Sequence, residues 1–466
     1  MHRSLLGAGV ASQQVDRATS FSSVMRLMSP GSRRRVTSAR DGSGGSARRS
    51  RSQPRVLLAP TILPNAVGMN TVEARALVCR ELLEADSPKR TRHIELSLPP
   101  GVAYRVGDHL GVCPKNDGER VERLARHLGA DLDGLLMVPN TLNARAVPKG
   151  TVLQVRNVLT SLVDIHGRPT VPLLDFLLGK VSDPAERARL AEIRDVLQAP
   201  DGPDSPLRAE INAGGYDVLR LLDEFPSCSL NVFEFLQVAQ PLRPRYYSTS
   251  SSPRIHGDGV AHLTVGLEAT PVPGLPGRDF RGMSSQYMQA LREGDRLNIF
   301  LNSADGFHLQ DDLSKPMIFV SVGTGFAPMR AFLWERLANK RAGAVLAEAA
   351  LFNGIRSRRL DYIYRDEIER FTAEGVLDHV QVVTSREQPG HREYVQDRIR
   401  EQGALVWRLL TAEGYVYVCG SQPMRDAVRA AFVDVVAEHG SLPRDQAGAY
   451  IDELETTTHY RPDLWG

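Results

Sequence analysis

Arg245-Tyr246-Tyr247-Ser248 puts a guanidinium, two phenol rings and a hydroxyl in four consecutive residues. A guanidinium can clamp a pyrophosphate through two parallel hydrogen bonds. A tyrosine ring can stack on a flat heterocycle while a hydroxyl bonds its edge. On an extended strand Arg245 and Tyr247 share a face, and Ser248 joins them only at a strand end or a bend. Aromatic strand residues are also ordinary core material, so this segment alone leaves both readings open.

Gly323-Thr324-Gly325 follows the apolar run Met317 to Val322 and precedes Phe326-Ala327-Pro328. Small residues let the backbone approach a ligand closely. A helix starting there presents free N–H groups and a positive dipole end to phosphate, and Pro328 suits a first helical turn. The full Gly-x-Gly-x-x-Gly fingerprint is missing, and a tight strand-to-helix turn explains the residues equally well. Gly282-Met283-Ser284-Ser285, ahead of the helical Tyr287 to Leu291, offers a second small anion cradle or simply a serine-capped helix. Ser385-Arg386 ends a strand, with Arg392 and Tyr394 close behind. Two guanidiniums and two hydroxyls suit a phosphate on a ribose, where a bare 2′-hydroxyl would take an acidic residue. A solvated charged loop is the alternative. Cys419-Gly420 closes another apolar strand, where a thiol is usually inert packing. Trp465 stands one residue from the end. Chain ends fray unless tied down, so this ring makes sense if it docks on an aromatic surface. Asp463 beside it can stabilise positive charge developing on a nicotinamide ring.

These residues need elements to hold them. Ile94, Leu96 and Leu98 alternate with His93, Glu95 and Ser97, the pattern of a half-buried strand. Leu263, Val265 and Leu267 repeat it, as do Leu297, Ile299 and Leu301. Short alternating strands between Gly and Pro imply an antiparallel barrel. Residues 118–240 read as a helical insertion. Asp183-Pro184-Ala185-Glu186 is a strong helix start. Val218, Leu219, Leu221 and Leu222 have amphipathic helical spacing, as do Val232, Phe233, Phe235 and Leu236. From Lys315 the rhythm is strand, turn, helix, with further buried strands at Ala349 to Phe352, Val380 to Val383 and Val416 to Val418. That alternation predicts a parallel sheet covered on both faces.

Composition sets outer bounds. A chain of 466 residues holds two or three domains, and 42% hydrophobic content builds ordinary cores. A net charge of +2 argues against a nucleic-acid binder. No apolar run reaches the roughly 18–20 residues that span a bilayer, so no integral membrane segment is expected. The four cysteines, Cys79, Cys113, Cys228 and Cys419, are not at metal or redox spacing, and the histidines are scattered. No metal is expected, and few cysteines fit a cytoplasmic setting. Residues 1–62 are rich in Arg, Ser and Gly, the composition of a disordered tail. An organelle-import leader is the alternative.

Together, from about residue 70 onward, these motifs resemble the FAD/NADPH module of the NADPH–cytochrome P-450 reductase family, a ferredoxin-NADP reductase-like, diflavin reductase group. Arg243-Pro244-Arg245-Tyr246-Tyr247-Ser248, Ser250-Ser251-Ser252-Pro253, Gly107-Asp108-His109-Leu110-Gly111-Val112 and Ser385-Arg386-Glu387-Gln388 look most like the reductase half of self-sufficient fatty-acid hydroxylases. The resemblance implies an α+β and α/β architecture. An antiparallel FAD-binding barrel spans residues 63–312, split by the insertion, and a doubly wound NADPH-binding domain spans 313–466. It implies FAD contacts at Arg245, Tyr246, Tyr247, Ser248, Thr264, Val265, Gly266, Gly282, Met283, Ser284 and Ser285. Gly323, Thr324 and Gly325 would meet the NADPH pyrophosphate. Ser385, Arg386, Arg392 and Tyr394 would hold its 2′-phosphate. Ser248, Cys419 and Asp463 would assist hydride transfer, and Trp465 would cover the flavin.

Some positions depart from the family pattern. Ser321-Val322 replaces the usual Gly-Pro, Ser421 replaces an acidic residue, and Ile355 stands where Cys is common. The family's FMN-binding flavodoxin domain has no counterpart in residues 1–62, so FMN is not expected on this chain. The implied function is transfer of hydride from NADPH to FAD and of electrons to a separate FMN protein or haem monooxygenase. A stand-alone ferredoxin or flavodoxin reductase, or a degenerate flavin-binding module, are the alternatives.

Overall fold

The computed structural model describes residues 71–465, apart from 140–141, 143–149, 200–203, 305, 389 and 391. The 1–62 tail reading therefore lies outside the described residues, and so does the side chain of Trp465.

Three strands open the described chain: β1 (Val72–Glu81), β2 (Thr91–Ser97) and β3 (His109–Cys113). The insertion then runs through α1 (Gly118–His127), β4 (Leu135–Met137), β5 (Val152–Gln154), α2 (Val155–Ser161), α3 (Val171–Leu178), α4 (Pro184–Gln198), α5 (Pro206–Asn212), α6 (Val218–Glu224) and α7 (Val232–Val238). Side-chain caps fix where these helices begin. Asp183 accepts from the Ala185 and Glu186 amides at the start of α4, and Asn231 with Glu234 forms a capping box on α7. The insertion has its own core, built on residues such as Leu124, Val158, Leu174, Leu190, Leu221 and Phe235. The β4–β5 pair was not expected, being too short to show a period. Phe233 is exposed rather than buried with its neighbours.

The chain returns to the first sheet through β6 (Arg245–Ser248), α8 (Pro253–His256), β7 (Val260–Gly266), β8 (Ala269–Pro271), β9 (Asp279–Arg281), α9 (Met283–Ala290) and β10 (Arg296–Asn302). Six of these strands pair antiparallel in the order β6-β3-β10-β1-β2-β7. A bridge between Thr249 and Leu263 joins the two outer strands, curling the sheet into a barrel. Ile94, Leu96, Leu110, Val112, Leu263, Leu297 and Ile299 fill it. One expectation needs correction here. His93, placed on the solvated side of β2, is 1% exposed, because the second lobe packs over that face.

That lobe comprises β11 (Met317–Val322), a 3₁₀ turn at Gly323–Gly325, α10 (Phe326–Arg341), β12 (Ala349–Ile355), α11 (Arg365–Ala373), β13 (His379–Thr384), α12 (Val395–Glu401), α13 (Gly403–Thr411), β14 (Tyr415–Ser421), α14 (Gln422–His439), α15 (Arg444–Thr456) and β15 (Tyr460–Trp465). All five strands are parallel, in the order β13-β12-β11-β14-β15. Successive residues of β11 feed different cores: Phe319 packs with Phe332 and Tyr417, while Ile318 and Val320 pack with Val418 and Phe432. A sheet buried on both faces gives continuous apolar runs instead of alternation. The strand order reverses between β11 and β14, and in such sheets ligands bind beyond the carboxyl ends at that point.

Candidate active site

Two cross-strand pairs, one from each sheet, face each other. In the barrel His109 on β3 lies opposite Ser248 on β6. In the parallel sheet Cys419 on β14 lies opposite Asp463 on β15. The Ser248 hydroxyl donates to Asp463 Oδ2 at 3.0 Å. His109 Nε2 lies 3.2 and 3.1 Å from the two carboxylate oxygens, and the Cys419 thiol donates to Oδ2 at 3.8 Å. Burial pushes the Cys419 pKa well up, and the Asp463 charge pushes it further. The sulfur is therefore a neutral thiol donor at physiological pH. Two of the residues expected to assist hydride transfer, Ser248 and Cys419, thus converge on the carboxylate of the third, Asp463. His109 is a fourth, absent from the sequence-based set, because cross-strand register is invisible in a single strand's pattern.

Beside this cluster the side chains fit a flavin dinucleotide. Tyr247 is half-buried, and its hydroxyl meets Ser284 Oγ at 2.9 Å. Arg245 is exposed and donates only to its neighbours' carbonyls, Arg243 O and Pro244 O, at 3.2 and 3.4 Å. Its guanidinium has no carboxylate partner among the described residues, as a pyrophosphate clamp requires. Tyr246 points to the other face, edge-on to Phe300. The Gly282 turn admits no side chain: a Cβ there would lie 2.7 Å from Glu268 Oε2 and 3.0 Å from Ser285 Oγ. Helix α9 begins at Met283, earlier than the sequence implied, so Ser284 and Ser285 are inside its first turn. Ser285 donates to Gly282 O. Thr264 and Val265 behave differently. Val265 is barrel core, and the Thr264 hydroxyl is held by Tyr364 at 2.8 Å. Their side chains are engaged within the protein, which leaves the backbone of β7 for any ligand contact.

A phosphorylated nicotinamide cofactor is matched from the other side. Gly323 has φ +56° with open space where a Cβ would stand, and its turn leads directly into α10. Thr324 touches the barrel, since a Cβ on Gly266 would sit 3.2 Å from its methyl. The Gly323-Thr324-Gly325 turn therefore meets the end of β7 across the lobes. Ser385 hydrogen-bonds Ile355 O, while Arg386, Arg392 and Tyr394 are exposed at the carboxyl ends of the sheet. Lys89 and Arg356 join them. Burial lowers the Lys89 pKa, with repulsion from Arg356 and Arg386 adding to it. Arg356 is lowered by burial and by Arg386. Crowded cations of this kind suit an anion. Sequence reading missed Lys89 and Arg356 because one comes from the β1–β2 loop and the other from the end of β12.

Comparison with known proteins finds relatives of both lobes. Residues 65–287 match the FAD binding domain family, and residues 319–430 match the oxidoreductase NAD-binding domain family. The bifunctional cytochrome P450/NADPH--P450 reductase 1 of Bacillus subtilis (strain 168) is 34% identical over 390 residues, covering 83% of this chain and 36% of that protein. The NADPH--cytochrome P450 reductases of Dictyostelium discoideum and Rattus norvegicus are 32% and 30% identical, covering 85% and 84% of this chain and 58% of each relative. The chain is homologous to NADPH–cytochrome P450 reductases over most of its own length. It spans between about a third and three-fifths of these relatives' length.

The departures from the family pattern are absorbed locally. Ser321 and Asn353 are cross-strand partners, and the serine hydroxyl donates to Asn353 Oδ1 at 3.0 Å. The Val322 side chain lies against Gly354, where a Cβ would be 3.0 Å away. Ser421 ends β14 opposite the backbone of Trp465.

A buried polar network ties the lobes together. Tyr364, in the left-handed region at φ 55°, bonds Thr264 and, at 2.9 Å, His93 Nδ1. His93 Nε2 meets Glu95 at 3.1 Å. Arg330 forms a bidentate pair with Glu367 and donates to His262 Nδ1 at 3.2 Å. His93, Glu95 and His262 hold their ligand-type atoms within 4.8 Å of one another. Strand spacing hid this cluster from the sequence reading. Arg330 is a cation donating to a ring nitrogen, the reverse of the acceptor that usually backs a metal-bound histidine. The cluster is therefore accounted for as a hydrogen-bonded network. Among the described residues no helix is long and apolar enough to cross a membrane.

Proposed function

We propose that this chain transfers hydride from NADPH to FAD and passes electrons singly to a separate acceptor, an FMN flavodoxin-like protein or a haem monooxygenase. The observation that carries this reading is the convergence of Ser248, Cys419 and Asp463 at the junction of the two sheets. When bound, the flavin supplies the redox chemistry and the nicotinamide supplies the hydride. The protein contributes orientation, and bringing two reactants into register accounts for much of such a rate.

In this reading Arg245 clamps the FAD pyrophosphate, Tyr247 stacks on the ring, and Ser284, Ser285 and the Gly282 turn line its cradle. Gly323, Thr324 and Gly325 take the NADPH pyrophosphate. Arg386, Arg392, Ser385 and Tyr394 take the 2′-phosphate, with Lys89 and Arg356 adding charge. Asp463 stabilises positive charge as it develops on the nicotinamide, and Ser248 and the Cys419 thiol hold that carboxylate. Trp465 covers the flavin until nicotinamide arrives. The lobes divide near residue 312, in the segment between β10 and β11. The haem acceptor is suggested by the relatives' names, which pair the reductase with cytochrome P450, and the FMN acceptor by the family resemblance. A cytoplasmic setting is proposed on the four free cysteines.

The test is anaerobic addition of NADPH to purified, FAD-loaded chain. Loss of the flavin's visible absorbance within seconds supports the reading, and a spectrum that stays yellow refutes it. Among FMN proteins, haem proteins and ferredoxins offered as acceptors, the first two should be reduced fastest. A preference for ferredoxin would favour the stand-alone reductase.

A further inference from the structure

We propose that His109 is a positioning residue for hydride transfer, fixing the Asp463 carboxylate and, through it, the Ser248 hydroxyl. This inference deepens the reductase reading and rests on it.

The Asp463 carboxylate is held at both of its oxygens. Ser248 and Cys419 both approach Oδ2. His109 Nε2 spans both oxygens, and Oδ1 has no other hydrogen-bond partner among the described residues. Without the imidazole one oxygen is unheld, and the carboxylate can turn away from Ser248. Both side chains are about five-sixths buried, at 16% and 15% exposure. A hydrogen bond shielded in this way is stronger and more directional than one in water. Because a carboxylate only accepts, Nε2 carries the proton.

The placement is also architectural. His109 opens β3, directly after Gly107-Asp108, and Asp108 is itself pinned by His308 at 2.6 Å. Gly107 has φ +105°, and a Cβ there would lie 2.5 Å from Phe307 O. The strand start is thus fixed from behind, so His109 is presented from a rigid element. Asp463 lies on the last strand of the other sheet, at its outer edge. The His109–Asp463 contact therefore sets where that edge strand stands relative to the barrel. A misplacement of about 1 Å at such a point can cost roughly a hundredfold in rate.

Two substitutions separate hydrogen bonding from packing. His109→Gln keeps an N–H near the reach of Nε2, whereas His109→Leu fills similar space without one. In anaerobic stopped-flow mixing, His109→Leu should lower the limiting rate of flavin reduction roughly 10- to 100-fold. The NADPH concentration giving half that rate should stay nearly constant, and His109→Gln should recover most of the loss. Deuterium at the transferred position of NADPH should slow the leucine variant more than the parent.

A second readout needs no turnover. In the purified full chain with ¹⁵N-labelled histidine, the His109 Nε2 resonance, assigned by its loss in His109→Gln, should move on Asp463→Asn. Four results would each overturn the proposal: a parent-like rate in the leucine variant, equal rates for leucine and glutamine, a loss confined to the NADPH concentration needed, or an unmoved resonance. If the parent itself fails to bleach, the reductase reading falls instead, and the resonance still decides whether the pair exists.

Discussion

Asp463 receives Ser248 and Cys419, while His109 spans its two oxygens. The thiol's role follows from its environment. Because burial and the adjacent carboxylate both raise its pKa, Cys419 should resist alkylation between pH 7 and 9. Peptide-resolved iodoacetamide labelling should show it reacting far more slowly in the folded than in the urea-unfolded chain; rapid labelling in the folded state would contradict the thiol assignment. At the opposite end of the cleft, replacing Arg386 and Arg392 with Ala should weaken NADPH far more than NADH. Each charge-assisted contact contributes roughly 1.5–3 kcal/mol, or about a ten- to hundredfold rise in the NADPH Michaelis constant per arginine. Equal losses for both cofactors would show that the phosphate lies elsewhere. The sequence revealed the types at Ser248, Cys419 and Asp463, since each closes a strand or sits beside an unusual terminal Trp. It did not reveal His109, Lys89 or Arg356, whose proximity arises from register and loops.

At the scale of elements, strand periodicity exposed the barrel's inner face through Ile94, Leu96 and Leu263. It misjudged the outer face at His93, because single-strand alternation cannot report a second lobe packed over it. The buried histidines there carry a pH signature. Burial lowers the His93 pKa to about 3 and the His262 pKa to about 2, with the Arg330 charge contributing to both. Their unfolded values lie near 6.5. Between those limits the unfolded chain binds more protons than the folded one, so stability is full above pH 6.5 and is lost as pH falls. The loss approaches about 1.4 kcal/mol per pH unit for each histidine once well below 6.5. Melting temperature should therefore fall between pH 6.5 and 5, above the carboxylate range, and His262→Gln should fall less steeply. Parallel curves for the two chains would show that His262 is not buried neutral. Helix starts were the most legible elements. The Asp183 cap was evident from local chemistry alone, whereas β4 and β5, at three residues each, left no trace.

For the whole molecule, the question is how two lobes with separate cores share one site. Tyr364 and Arg330 reach from the parallel lobe into the barrel, while Asp463 meets its edge. Tyr364→Phe removes the partner of both Thr264 and His93 Nδ1, leaving buried groups unsatisfied at a cost of about 1–3 kcal/mol. Urea unfolding should show that loss, and an unchanged midpoint would mean the tyrosine hydroxyl does not link the lobes. The two-lobe architecture was legible because antiparallel alternation and continuous apolar runs are different signatures. The network between the lobes was not, since its members are spread from β2 to α11. For the whole chain to work as proposed, a flavin and a nicotinamide must meet beside Asp463. Anaerobic single-turnover mixing of FAD-loaded chain with NADPH, deuterated or not at the transferred position, tests that most directly. Rapid bleaching that deuteration slows is the predicted result; flavin that bleaches no faster with NADPH than without it would contradict the account.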